Sequence, residues 1–412
     1  MVHVDRIVYM VLRQVPSQVL ALAGYAMSEP TPRMCVLAAT PLTIHFFLKP
    51  HIHELAKHFK VTLAFNPRND PHTPSLNLPA QELAIPIFRK ISPLSDLLTV
   101  FALCRLYARE RFDIVVTVVP KAGLLGMMAS WLLRVPRRVH IFQGEVWATK
   151  HGITRLMLKS MDSLTACLAT HVLAVSESER SFLEKEGVVP KGRLQVLRAG
   201  TICGVDTELF RADAAVRDRV RRQLAIPQQA VVCLFLGRLT TDKGVLELVQ
   251  AFTQSATTQP NLWLLLAGPD EDQMAGRFCK LIPEKISHRI RITGFTQKPD
   301  QMLAASDFLC LPSHREGFGM VILEAAAVGI PAIGTNIYGI VDAIVDGHTG
   351  RLVPVGHVHA LAEALTRWCE NPVERARYGN AARDRVLTNF EQKTVVGCYV
   401  KFFLDLFRPK SS

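Results

Sequence analysis

The sequence predicts an α/β protein made of two doubly wound parallel sheets. Three observations predict it. Short, β-branched apolar runs alternate with longer amphipathic ones; the alternation stops and restarts at mid-chain; and 412 residues, 49% of them hydrophobic, suit two domains of ordinary size. With 20% charged residues and no dominant polar tract, disorder throughout the chain is excluded.

The first apolar stretch, Ile7 to Met27, is broken by Arg13, Gln14, Pro16, Ser17 and Gln18, which defeats a membrane span of about 18 residues. A poorly ordered leader, an interfacial helix and a mistaken start site all fit residues 1–32. The runs 34–40, 61–65, 113–119, 138–142 and 171–176 then read as strands buried on both faces, with helices over Leu94–Arg109 and Ala122–Leu133 between them. This gives a first Rossmann-like domain over 33–200. The second strand series is 231–237, 262–268, 290–295, 307–313 and 331–336, with helices near Val245–Gln254, Gly319–Val328 and His357–Glu370. It gives a second domain over 201–390. The charged run Arg211–Arg222 before Ile226-Pro227 puts the boundary near 198–212. A last helix, Gln392–Phe407 within 391–412, is expected to pack back on the first domain.

Charge is uneven. The whole chain carries 48 − 36 = +12, of which residues 1–199 hold 24 − 14 = +10 and residues 200–412 hold 24 − 22 = +2. A cationic half suits an anionic partner: nucleic acid, lipid headgroups or a phosphorylated substrate. The basic residues are not interleaved with aromatics in a recognisable module, so no nucleic-acid partner is expected. Nine cysteines include no C-x-x-C pair and sit mostly in apolar runs, as in a reduced protein without a disulfide framework.

Ligands of such sheets bind beyond the carboxyl ends of the strands. There, Gly237-Arg238-Leu239-Thr240-Thr241-Asp242-Lys243-Gly244 opens a helix, with two cations five residues apart beside glycines, as a diphosphate clamp requires. Taken alone, the loop also fits a solvated turn. The second loop, Ser313-His314-Arg315-Glu316-Gly317-Phe318-Gly319, leads into a helix carrying Glu324 eight residues after Glu316. Its glycines let backbone N–H groups face an anion at a helix start, and the two carboxylates suit sugar and ribose hydroxyls. Lys121, between a strand and a helix, is well placed for an acceptor phosphate. His45, His51 and His53 have no carboxylate spacing that supports a metal site; Asp270-Glu271-Asp272 matches D-x-D superficially, but it falls in the turn after a strand and the Arg238/Lys243 pair already supplies cations, so no metal is expected.

The runs GRLTTDKG, LLLAGPDED and SHREGFGMVILEAAAVGIPAIGTNIYGIVDAIVDGHTGRLVP resemble the nucleotide-sugar-binding half of family 4 retaining glycosyltransferases, the group 1 transferases of GT-B fold, over residues 230–390. The runs FFLKPHIHELAKHFKVTLAFN and TVVPKAGLLGMMASWLLRVPRRVHIFQGEVWATKHG, within 40–180, are similar to capsule- and O-antigen-type members, which act on polyprenyl-diphosphate-linked sugars.

The resemblance implies two Rossmann-like domains facing a cleft and a UDP- or GDP-linked sugar as donor, with no cofactor. It implies that Arg238 and Lys243, in the loop begun by Gly237, bind the donor diphosphate. Glu316 would contact the donor sugar and Glu324 the ribose. Backbone amides around Gly317, Phe318 and Gly319 would hold phosphate or sugar, and Gly294 and Phe295 would lie by the nucleobase. Arg238, Lys243 and Glu316 are the expected catalytic groups; Lys121, Gln143 and Glu145 lie on the acceptor side. Two departures stand out: Ala38-Ala39-Thr40-Pro41 replaces a glycine-rich loop, and Gln143 falls where relatives carry a histidine. Retention comes with the resemblance, and in the absence of an evident nucleophile front-face attack is the expected route. A nucleotide-sugar epimerase of the same architecture is the alternative, whereas the lack of G-x-G-x-x-G after a first strand disfavours a nicotinamide enzyme. Finally, Arg105, Arg109, Arg111, Arg134, Arg137, Arg138, Lys150, Arg155 and Lys159 surround the apolar stretch Leu124–Leu133, which predicts peripheral docking on an anionic membrane, on the cytoplasmic face of an inner membrane.

Overall fold

In the first half, the runs rich in Val, Ile and Leu become seven strands: β1 (Arg33–Leu37), β2 (Lys60–Phe65), β3 (Gln81–Ala84), β4 (Ile114–Val118), β5 (Arg137–Phe142), β6 (His171–Ala174) and β7 (Leu194–Val196). They form one sheet of order β3-β2-β1-β4-β5-β6-β7, all parallel. The second half repeats the plan with β8 (Val231–Leu236), β9 (Leu262–Ala267), β10 (Ile290–Gly294), β11 (Phe308–Leu311), β12 (Ala332–Thr335) and β13 (Gly350–Val353), again all parallel, in the order β10-β9-β8-β11-β12-β13. The computed structural model describes residues 31–70, 75–88 and 92–408; the leader assigned to 1–32 lies outside them but for its last two residues.

Apart from the edge strand β10, the strands the sequence predicts are central, because cover on both faces favours apolar residues: all five residues of β4 and all six of β9 are buried. Three strands escape that pattern. β3 is a largely exposed edge (Gln81-Glu82-Leu83-Ala84), and β7 and β13 are edge strands of three and four residues. Helices Gly152–Leu168, Glu177–Lys185 and Pro372–Asn389 likewise add to those expected.

One expectation is corrected. The stretch Leu124–Leu133 lies largely in helix Pro120–Leu132, the middle of a three-helix layer between Pro93–Glu110 and Gly152–Leu168. Flanked on both sides, it buries Leu125, Met127 and Ala129, and only its end, Trp131 to Leu133, is exposed. The arginines at that end serve the fold: Arg137 lies 3.7 Å over the Phe407 ring and donates to Leu406 O, and Arg138 donates to Leu168 O and Val135 O. On the opposite face of the sheet, helix Gln392–Asp405 packs on helix Lys49–Leu55, where the His51 and Tyr399 rings meet edge to face at 5.0 Å.

Strand order reverses between β1 and β4 in the first sheet and between β8 and β11 in the second. The loops after β8 and β11 therefore flank the crevice where a doubly wound sheet binds its ligand.

Candidate functional site

The β8 loop tightens into a turn over Thr241–Lys243, ended by Gly244 at φ 67°. Gly244 permits the interlocking of two loops, because a Cβ there would run into the Pro312 carbonyl oxygen. His314 N then donates to Asp242 O at 2.9 Å, and the His314 ring meets Glu247 Oε1 at 2.8 Å. That bond holds the Glu247 carboxyl below its usual range and raises the imidazole.

Interlocking brings Lys243 Nζ to 2.5 Å from Glu316 Oε1, which also accepts from Ser313 Oγ at 2.9 Å. The turn 316–319 leads into helix Met320–Val328, with Gly319 at φ 80° just before its first turn. The Phe318 ring is buried, 5.4 Å from Phe390, so only its backbone faces outward chemistry. Glu324 keeps some contact with solvent, yet desolvation among Ile322, Leu323, Ala325 and Ala326 pushes its carboxyl up to about 7.

Across the cleft, the loop after β5 meets this turn backbone to backbone. A Cβ on Gly144 would lie 2.7 Å from Gly317 N, and one on Gly317 would lie 2.7 Å from Gln143 C. Arg315 Nη1 donates to Gly144 O at 3.3 Å. The Gln143 side-chain nitrogen is buried and has no hydrogen-bond partner among the described residues. The structure thus brings Gln143, Glu316, Gly317 and Lys243 together.

Other expected residues lie apart from this contact. Arg238 is half exposed and pairs with Glu271 at 2.8 Å. Gly294 ends β10 and Phe295 follows it, with Gly294 O accepting from Gly268 N at 2.8 Å and the Phe295 ring exposed. Lys121 pairs with Asp96 at 2.7 Å. Glu145 turns its side chain into the seam between the lobes, 1% exposed, beside Glu179 and Tyr338. Sequence reasoning missed Glu179 altogether; the Ser176-x-x-Glu179 spacing signals only a helix cap.

Among the described residues no group of three or more His, Cys, Asp or Glu is arranged to hold a metal. The acidic run is used within the loops: Asp270 caps helix Met274–Leu281 through Met274 N at 2.7 Å, and Asp272 accepts from Thr241 N at 2.9 Å. His51 is spent on Ile202 O at 2.7 Å.

Two facing Rossmann-like lobes with a Lys–Glu pair and a helix start at the second lobe's switch point define a GT-B glycosyltransferase architecture. The glycosyl transferases group 1 model matches residues 216–385 and the glycosyl transferase 4-like domain model matches 48–200; the chain belongs to the group 1 glycosyltransferases. The capsular polysaccharide biosynthesis glycosyltransferase CapM of Staphylococcus aureus is 28% identical over 76% of this chain and 81% of its own length. The UDP-Gal:alpha-D-GlcNAc-diphosphoundecaprenol alpha-1,3-galactosyltransferase of Escherichia coli is 26% identical over 77% of this chain and 82% of its own. Among solved structures, Anabaena HepE in complex with UDP and glucose superposes with a TM-score of 0.76 at 18% identity, covering 91% of this chain and 100% of that one. This last likeness bears on the fold, which is GT-B.

Proposed function

We propose that this glycosyltransferase moves a hexose-type sugar, with retention, from a nucleotide-diphosphate donor to a lipid-diphosphate-linked saccharide in surface-polysaccharide assembly. The observation that carries the reading is the Lys243–Glu316 pair at 2.5 Å, set before helix Met320–Val328 and roofed by the Gly144 loop. The CapM and diphosphoundecaprenol transferase likenesses support the acceptor class.

As the sugar leaves, negative charge grows on the diphosphate. Lys243 and Arg238 exchange part of their carboxylate pairing for phosphate oxygens, and the N–H groups at the helix start add their dipole. Glu316, anchored by Ser313, keeps an acceptor oxygen for a sugar hydroxyl, and Glu324 accepts from the ribose. The unpartnered Gln143 amide donates to the transferred sugar or to the incoming hydroxyl. Attack comes from the leaving-group face, and the departing phosphate takes the acceptor proton. No metal is needed for a charge already met by two cations.

The first lobe brings the protein to its lipid acceptor. No helix among the described residues is long and apolar enough to cross a membrane. Helix Pro93–Glu110 instead exposes Leu94, Leu97, Leu98 and Phe101 at helical spacing, Leu98 being the least exposed at 62%. Helix Gly152–Leu168 exposes Ile153, Leu156 and Met157. Both stripes start at the cleft end of the layer, near Lys121, Lys150 and Arg155, which suits an anionic lipid surface on the cytoplasmic side.

The test is transfer from UDP- and GDP-linked hexoses to short lipid-diphosphate saccharides, with the anomeric configuration of the product read by NMR. Inversion, a trapped glycosyl-enzyme, or C2 epimerisation of the donor alone would each reject the mechanism.

A further inference from the structure

Behind the loop that meets Gly317 lies a feature the transfer chemistry does not use. Glu179, in the first turn of helix Glu177–Lys185, is fully buried. In an ordinary capping box its carboxylate would reach back to the cap residue. Here one oxygen accepts from Val175 N at 2.9 Å and the other from Gly144 N, so the loops after β5 and β6 are tied together by one side chain. The neighbouring Glu145 carboxyl is buried against Glu179, with the Tyr338 hydroxyl as the other polar group beside it and no cation paired with it among the described residues.

The second lobe closes over this pair. Tyr338 OH accepts from Glu145 N at 3.2 Å, and its ring stacks on Phe182 at 4.5 Å, which stacks on Trp147 at 5.2 Å. Ser178 accepts from Gly339 N at 2.7 Å, and Asp342 accepts from Ser178 N at 3.1 Å. The other charged and titratable groups around the pair are already engaged. Asp162 accepts from Trp147 Nε1; Arg155 and Lys159 lie over the Trp147 ring and pair with Glu186; Arg385 serves the Asp342 and Ala343 carbonyls; Arg315 serves Gly144 O. Tyr399 is engaged too, its hydroxyl donating to Thr201 O at 3.1 Å.

We propose that Glu145 and Glu179 share one proton and are positioning residues: while the proton is held, the 143–145 loop stays seated on Gly317 and Tyr338, and when it is lost the loop and the second lobe part. Two apposed carboxylates without a counter-cation cannot both ionise in a dry seam. Burial raises both, helped at Glu145 by the charge of Asp162 and at Glu179 by the charge of Glu145, so the closed cleft binds a proton that the open, solvated one releases. Closure therefore weakens as pH rises from the ordinary carboxylate range toward the raised one. The role in transfer rests on the reading of this cleft as the sugar site; the latch itself does not.

The test is amide hydrogen exchange of residues 143–147 and 338–342 in the full chain without substrate, from about pH 6 to about pH 9, corrected for the intrinsic rate. In the unsubstituted protein protection should fall by up to about tenfold per pH unit through the titration. Glu145→Gln supplies an amide donor to Glu179 in place of the proton and should remove the slope; Glu179→Gln, donating the other way, is the second variant should the first not fold. Equal slopes in variant and unsubstituted protein, or no slope in either, overturn the latch. A slope without sugar transfer would reject the proposed function alone, and transfer with no slope the latch alone.

Discussion

Lys243 Nζ and Glu316 Oε1 stand 2.5 Å apart, joining the β8 loop to the β11 loop across the switch point of the second sheet. Neither residue is free to drift, since Glu316 is also held by Ser313 and the loops interlock at Gly244 and Pro312. A cation held in this place needs only a small shift of its pairing to meet charge that develops near it. Lys243→Ala should lower kcat about 100-fold with little change in Tm, as loss of one preorganised electrostatic donor does. Steady-state kinetics beside thermal unfolding checks it.

Glu324 gives a pH signature. Its carboxyl, raised to about 7 by desolvation, is partly protonated at neutral pH, whereas a ribose diol requires an acceptor. Binding the donor then releases a proton, so affinity should rise as pH increases through about 7 and level off above it. Donor titration calorimetry in two buffers of different ionisation heat should register the proton release. Glu324→Gln should bind more weakly and show no pH dependence; an unchanged profile would remove Glu324 from the site.

Gly144 has φ 85° and a Cβ there would lie 2.7 Å from Gly317 N. Gly144→Ala therefore adds backbone strain of about 1–3 kcal/mol and a steric block between the lobes. Gly144 lies in a loop outside both sheets, so the expected result is a folded protein with an opened cleft, larger by small-angle scattering, whose transfer rate falls more than its donor affinity.

How much of this was legible follows from where each residue sits. β4 and β9 were readable because both faces are covered and their residues, Thr117 apart, are apolar. β3, β7 and β13 were not, because edge strands need no apolar run. The loops after β8 and β11 stood out through glycines and charges at fixed offsets. Glu179 was not, since its role depends on a contact with Gly144, 35 residues away, that only the folded first lobe creates by setting β5 beside β6. The same holds for the charged run Arg211–Arg222, which reads as a solvated boundary yet contains the fully buried Arg221.

Arg221 donates to Ala305 O at 2.9 Å, Gln228 O at 2.7 Å and Ala230 O at 2.9 Å, and pairs with Asp307 at 2.8 Å. Asp307 in turn accepts from Val232 N at 2.6 Å. Arg217 still pairs with Asp307 at 2.7 Å when this cation is removed, but several carbonyls lose their donor, so Arg221→Ala should destabilise the protein by about 1–3 kcal/mol. Lysine cannot reproduce the planar fork, and Arg221→Lys should recover less than half of the loss in denaturant unfolding.

The exposed stripes of the first lobe make the last prediction. Leu97 and Phe101 project from helix Pro93–Glu110 with 66% and 70% of their surface exposed, so replacing them costs the fold little, within about 0.5 kcal/mol each. Seated in an interface, each contributes about 1.5 kcal/mol or more of apolar burial. The double substitution Leu97→Glu with Phe101→Glu should then weaken sedimentation with phosphatidylglycerol vesicles by about 100-fold. Binding of the unsubstituted protein should also fall with added salt, because the basic first half contributes through a screened attraction. The double variant should still transfer sugar to a detergent-dispersed acceptor and lose activity only when the acceptor is in a bilayer. Equal vesicle binding by both proteins would show that this face does not meet the membrane.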